Sequence, residues 1–116
     1  MIELTRNKIR IATANHIHFM DINDIVRIQS ESNYSKIFIT GGKTIVVSKA
    51  LAHFDALLTG FHFVRIHRTH LVNMLYIKHY ERGNLSRIGL NNDEMLPVSR
   101  SKKKSFQYEL KTYCLI

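Results

Sequence analysis

The stretch from Phe63 to Asn73 sets Arg65, His67, Arg68 and His70 among Phe63, Val64, Ile66, Leu71 and Val72. This mixture limits the folds open to the chain. A buried guanidinium without a partner is costly, so these groups must be paired or turned to the surface. The apolar residues read as an anchor, and the Arg and His side chains as a presented surface. The alternative reading is an ordinary edge strand with solvated charges.

The rest of the chain reads as short strands joined by tight turns. Lys8 to Ala12 and His16 to Met20 alternate polar and apolar residues, the period of half-buried strands, with Ala14-Asn15 as the turn between them. Asp21 to Asp24 reads as a short turn and Ile25 to Gln29 as a third strand. Glu31 to Ser35 breaks the apolar run. Tyr34 to Thr40 and Lys43 to Val47 flank a Gly41-Gly42 hairpin turn. Ser48 is predicted to cap a helix over 50–58, with Leu51, Phe54 and Leu58 at helical spacing and Gly60 as its stop. Strands follow at Leu75 to Tyr80, Leu85 to Leu90 and Glu94 to Val98, where Pro97 demands an edge position. Ser99 is predicted to cap a last helix reaching Tyr113. The expected fold is mainly β with minor α, a single domain over residues 1–116. Small antiparallel sheets would share one core, with one central helix and one C-terminal helix.

Charge narrows the function. Lys and Arg number 17 against 9 Asp and Glu, giving a formal charge of +8. That excess favours a polyanionic partner: nucleic acid, an anionic membrane surface or an acidic protein. The single cysteine, Cys114, excludes an intrachain disulfide and fits a reducing compartment. Met1 to Arg10 carries neither a signal peptide nor a spanning helix, so a cytoplasmic protein without a membrane segment is expected. The seven histidines include the pairs His16/His18 and His67/His70, the latter on one face if that stretch is helical. Neither pair is supported by clustered Cys or carboxylates or by an HExxH pattern, so no metal site is expected. No nucleophile motif and no phosphate-binding glycine loop is present, which argues against an enzyme and against a bound cofactor.

Three constellations suit nucleic acid. Arg100, Lys102, Lys103 and Lys104 crowd a helix start, where cations oppose the helix dipole and a phosphate would explain them. Arg68 and Arg100 each follow an apolar anchor and are suited to bidentate bonding of guanine. Asn33, Ser35 and Lys36 lie in a polar loop as further donors. Each has a plainer alternative: a solvated basic turn, surface ion pairs to Glu31, Asp93 or Glu94, and a simple β-turn. A basic protein-interaction or membrane-surface module, and a small metal-dependent enzyme using the histidines, stay open as rival classes.

Asp24 to Ile28, Asn33-Tyr34, Leu51, the Arg-Ile-His-Arg-Thr-His-Leu-Val-Asn block ending at Asn73, and Leu96-Pro97-Val98-Ser99-Arg100 together resemble the LytTR family of bacterial DNA-binding domains. The likeness spans roughly Ile9 to Lys104. It implies small antiparallel sheets and double-stranded DNA read by loops entering successive major grooves of a bent duplex. By position it implies base contacts from Arg68, Arg100 and a residue of the Asn33 to Lys36 loop, with Asn33 and Ser35 as the candidates. It implies a phosphate contact from His67, with Thr69 and Asn73 holding the strand or turn that presents Arg68; the basic charge itself assigns phosphate contacts to Lys36, Lys102, Lys103 and Lys104. The family's usual setting adds a receiver or sensor domain outside this chain, a two-component system, and pairs of subunits on direct repeats.

Overall fold

A computed structural model describes residues 7–114; Met1 to Arg6, the start of the N-terminal alternating stretch, lie outside them. Strand β1 (Lys8–Ala12) pairs antiparallel with β2 (Ile17–Asp21). Ile9 and Ile11 are buried while Lys8 and Arg10 face out, as the alternation requires. The Asp21 carboxylate then accepts from the Asn23 N–H at 2.9 Å and opens a short 3-10 turn, Ile22–Asp24.

Strands β3 (Ile25–Glu31), β4 (Tyr34–Ile39) and β5 (Thr44–Val47) follow as two hairpins. The first turns at Ser32, in the left-handed region at φ 52°. The second turns at Gly41 and Gly42, with φ 87° and 84°, a conformation that favours glycine. Helix α1 (Leu51–Leu57) buries Leu51 and Phe54. Ser48 does not cap it: Ala50 holds the position before the first turn and supplies no side-chain bond. The chain there is directed instead by the Ser35 hydroxyl, which donates to the Lys49 carbonyl at 2.7 Å.

Strands β6 (Phe63–His67) and β7 (His70–Asn73) complete a five-stranded sheet in the order β5-β4-β3-β7-β6. The apolar anchor of the opening stretch is therefore strand, with a turn at Arg68-Thr69. Strands β8 (Ile77–Glu81), β9 (Arg87–Leu90) and β10 (Met95–Pro97) form a separate three-stranded sheet. Strand β10 is at its edge, where the missing N–H of Pro97 costs nothing. A 3-10 turn (Arg100–Lys102) leads into helix α2 (Lys103–Tyr113). Ser99 precedes that turn with an extended backbone but makes no side-chain cap; its hydroxyl faces that of Ser101 at 3.3 Å.

The interior has two lobes, one on each face of the central sheet. Ile25, Ile28, Ile37, Phe63 and Leu71 pack with β1 and α1. Val64, Ile66 and Val72 pack with Ile88, Leu90, Leu96 and Phe106. Arg27 pins the second lobe. Only 5% exposed, it lies 3.7 Å from the Phe38 ring centroid and donates to both Glu94 carboxylate oxygens and to Gln29. The hydrogen bond from Arg27 is the largest influence holding the Glu94 carboxyl below its usual range.

Asn73 is the other buried polar element. Its amide donates to the Ile25 carbonyl at 3.0 Å, and its side-chain oxygen accepts from the Leu75 N–H at 3.0 Å. It thus ties β7 to β3 and starts the next turn, Met74–Tyr76. Asn73→Ala would strand both backbone groups and is expected to cost about 1–3 kcal/mol. A urea titration checks this; an unchanged midpoint would remove Asn73 from the framework.

Candidate nucleic-acid interface

Strands β3 and β6 are each antiparallel to β7, so they run in the same direction. Their following turns, at Ser32-Asn33 and at Arg68-Thr69, must leave the sheet at one end. Two backbone bonds gather the cluster. The Ser30 N–H donates to the Thr69 carbonyl at 3.0 Å, and the Ser99 N–H donates to the Ile66 carbonyl at 2.9 Å. The second bond brings Arg100 beside the turn that carries Arg68, and strand β6 packs on the Arg100–Lys102 turn.

Arg68 and Arg100 are both exposed, and neither is ion-paired among the described residues. Two of the three carboxylates proposed as their partners are engaged elsewhere: Glu94 with Arg27, and Asp93 with Lys78. Asn33 is exposed at the tip of its turn. Ser35 must be withdrawn from the base-contacting set. It is fully buried, and its hydroxyl is committed to the Lys49 carbonyl.

Register across the sheet sets Val46, Lys36, Gln29, His70 and His67 in one row, close to the end that carries the turns. Lys36 and His67, far apart in sequence, therefore lie on one face. The backbone N–H of Thr69 donates to His67 Nδ1 at 3.2 Å, so that nitrogen is the acceptor and the ring proton sits on Nε2. Lys102 is half-buried and Lys104 is exposed. Lys103 is partly spent, its ammonium donating to the Gly83 carbonyl at 2.7 Å.

A family model of the LytTr DNA-binding domain matches residues 15–111. The chain belongs to the LytTr DNA-binding domain family. This LytTr domain is also similar to two regulators of Paraburkholderia xenovorans (strain LB400), named heme-containing CO-sensing transcriptional regulators RcoM 1 and RcoM 2. Identity is 30% and 29% over 99 residues, 82% of this chain but 36% of each relative. The chain thus spans about a third of the length of these relatives. The LytTr DNA-binding domain of a protein from Bacillus cereus shares the fold, with a TM-score of 0.77 at 21% identity, covering 90% of this chain and 96% of that one.

Two residues of the LytTr domain's turn region were not legible as such. Lys49 is exposed just beyond the end of β5, which pairs with β4 so that Val47 faces Ser35 at the end carrying the turns. Nothing local separates it from other lysines. Arg65 reads as a second presented cation, yet it is turned inward. Its Nε donates to the His67 carbonyl at 3.0 Å, Nη1 to Asp55 at 3.2 Å, and Nη2 to the Arg68 carbonyl.

The two histidine pairs do meet in space: rings lie 5.7 Å apart for His16 and His18, and 5.4 Å for His67 and His70. The second pair meets across β6 and β7 and not along a helix. Among the described residues, no group of three or more His, Cys, Asp or Glu is placed to hold a metal. No helix there is long and apolar enough to cross a membrane.

Burial of His70, with Arg27 and His67 nearby, pushes its pKa down to about 4. Its Nδ1 is buried without a hydrogen-bond partner. The unfolded chain would bind this proton near the ordinary histidine value of about 6.5, while the folded chain refuses it. Stability is therefore full above that value and falls as the pH drops toward about 4. Melting temperatures between pH 7 and pH 4 should fall less steeply for His70→Phe than for the wild type. Equal slopes would contradict this.

Proposed function

We propose that this LytTr domain reads a specific double-stranded DNA sequence through the three chain segments at one end of its central sheet, as the DNA-binding part of a transcription regulator. The observation that supports the reading is the Ser99-to-Ile66 backbone bond, which brings the segment carrying Arg100 against the strand that leads into the Arg68 turn, with neither arginine ion-paired among the described residues. Arg68 and Arg100 each present a planar fork that matches guanine O6 and N7 in a major groove. Asn33, on the neighbouring turn, matches adenine N6 and N7. The two arginines fix preference at separate base pairs, and a bent duplex lets the segments enter together.

Phosphate contacts fix the register without reading sequence. The Nε2 proton of His67, the ammonium groups of Lys36, Lys49, Lys102 and Lys104, and the residual donors of Lys103 supply them. The excess of positive charge adds the sequence-independent part of the affinity. Direct repeats bound by two copies, and a signal arriving from a receiver or sensor domain, complete the proposal. The names of the Paraburkholderia relatives, CO-sensing transcriptional regulators, support the link to a sensor.

Selection from a random duplex pool should yield a defined site. On it, Arg68→Ala is expected to cost about 1–3 kcal/mol and to relax preference at one base pair. Equal loss on the selected and a scrambled duplex would refute the reading role. Lys104→Ala should lower the slope of log affinity against log salt by about one, with Lys103→Ala lowering it less. Fluorescence anisotropy across a salt series checks both. Equal slopes in the wild type and Lys104→Ala would remove Lys104 from the phosphate set.

A further inference from the structure

The geometry points to Arg65 as a positioning residue: it fixes the direction in which Arg68 leaves the sheet and so sets specificity without touching DNA. The inference rests on the reading role given to Arg68 above. Arg65 sits at a register shift in β6, between the pairs Arg65↔Leu71 and His67↔His70. Such a bulge re-aims side chains relative to a regular strand. Here the side chain runs forward along its own strand toward the turn. Only 21% of it is exposed.

Its fork holds two successive carbonyls, those of His67 and Arg68, through Nε and Nη2. These carbonyls belong to the peptide units on either side of the Arg68 Cα. With both planes held by one rigid, planar group, the Cα–Cβ direction of Arg68 between them has little freedom. The third arm, Nη1, reaches the Asp55 carboxylate on α1. Through it the clamp is anchored to a helix that is itself packed by Leu51 and Phe54.

The chemistry requires arginine. A guanidinium offers five donors in a fixed plane, whereas an ammonium offers three rotating donors from one atom. Lysine at 65 would keep the charge and lose the fork. The Asp55 arm is less critical, because the carboxylate side chain is 42% exposed and an ion pair so wetted contributes little by itself. The part-buried bond from Nε, a charged donor, to the His67 carbonyl counts for more. One short block thus holds two arginines of opposite duty, with Arg65 turned in to set the aim of Arg68.

The test uses the full chain, the duplex selected from the random pool, and a scrambled duplex of equal length. Arg65→Lys is expected to leave affinity for the scrambled duplex and the salt slope unchanged while lowering preference for the selected duplex about tenfold, the scale of one good base contact. In an Arg68→Ala background the same change should lower preference no further. Asp55→Asn, which leaves the fork on its carbonyls, should lower preference about twofold or less. It also keeps the test informative if Arg65→Lys melts early.

Preference losses that multiply between Arg65→Lys and Arg68→Ala would overturn the inference, because Arg65 would then act independently. A salt slope lowered by about one in Arg65→Lys would overturn it too, since that marks a direct phosphate contact. Full preference in Arg65→Lys, beside a loss in Arg68→Ala, would sink the positioning role alone. Full preference in Arg68→Ala itself would sink the reading role and the inference with it.

Discussion

One backbone hydrogen bond, from the Ser99 N–H to the Ile66 carbonyl, joins the two parts of the candidate interface. The turn carrying Arg68 belongs to the five-stranded sheet and the segment carrying Arg100 follows the edge strand of the three-stranded one; this bond links them. The bond is protected by what lies under it: Ile66 and Val98 are both buried in the lobe that also holds Phe106 of α2. Apolar packing therefore decides which polar groups meet. The same logic operates on the other side of the turn, where Ser30 holds the Thr69 carbonyl.

Four arginines, Arg27, Arg65, Arg68 and Arg100, divide into two groups by what the interior does with them. Arg27 is buried and matched by Glu94, Gln29 and the Phe38 ring. Arg65 is largely covered and matched by Asp55 and two carbonyls. Arg68 and Arg100 keep their donors in solvent. A candidate surface built this way combines internally paired cations with free ones. The internal pairs hold geometry, and the free groups are left to answer a ligand.

Much of this was legible in the sequence because alternation and glycine turns are local signals. Lys8 to Ala12 and Gly41-Gly42 carry their structure in their own residues. The apolar anchors around Arg68 were legible as such, but a strand or turn presenting Arg68 came only from the resemblance to the LytTR family. What was not legible depends on distant partners. Arg27 sits in an alternating run and reads as an ordinary outward cation; its burial depends on Glu94, from a turn in the other sheet. Ser35 reads as a loop donor because it is small and polar, but the strand register turns it inward to the Lys49 carbonyl. Ser48 and Ser99 carry the right chemistry for caps, yet tertiary bonds at Lys49 and Ser99 set the chain path before either hydroxyl can cap. Arg65 and Arg68 are alike in composition, and only a bulge tells them apart.

In the proposed mode, the duplex meets the turns at one end of the five-stranded sheet together with the Arg100–Lys104 segment beside them. Amide chemical-shift mapping with the selected duplex tests it most directly. Residues 32–33, 67–70 and 99–104 should shift together and saturate at one stoichiometry, while the β1–β2 hairpin and the exposed face of β8 stay still. Shifts confined to the lysines of α2, with the turn at Arg68 unmoved, would contradict the account.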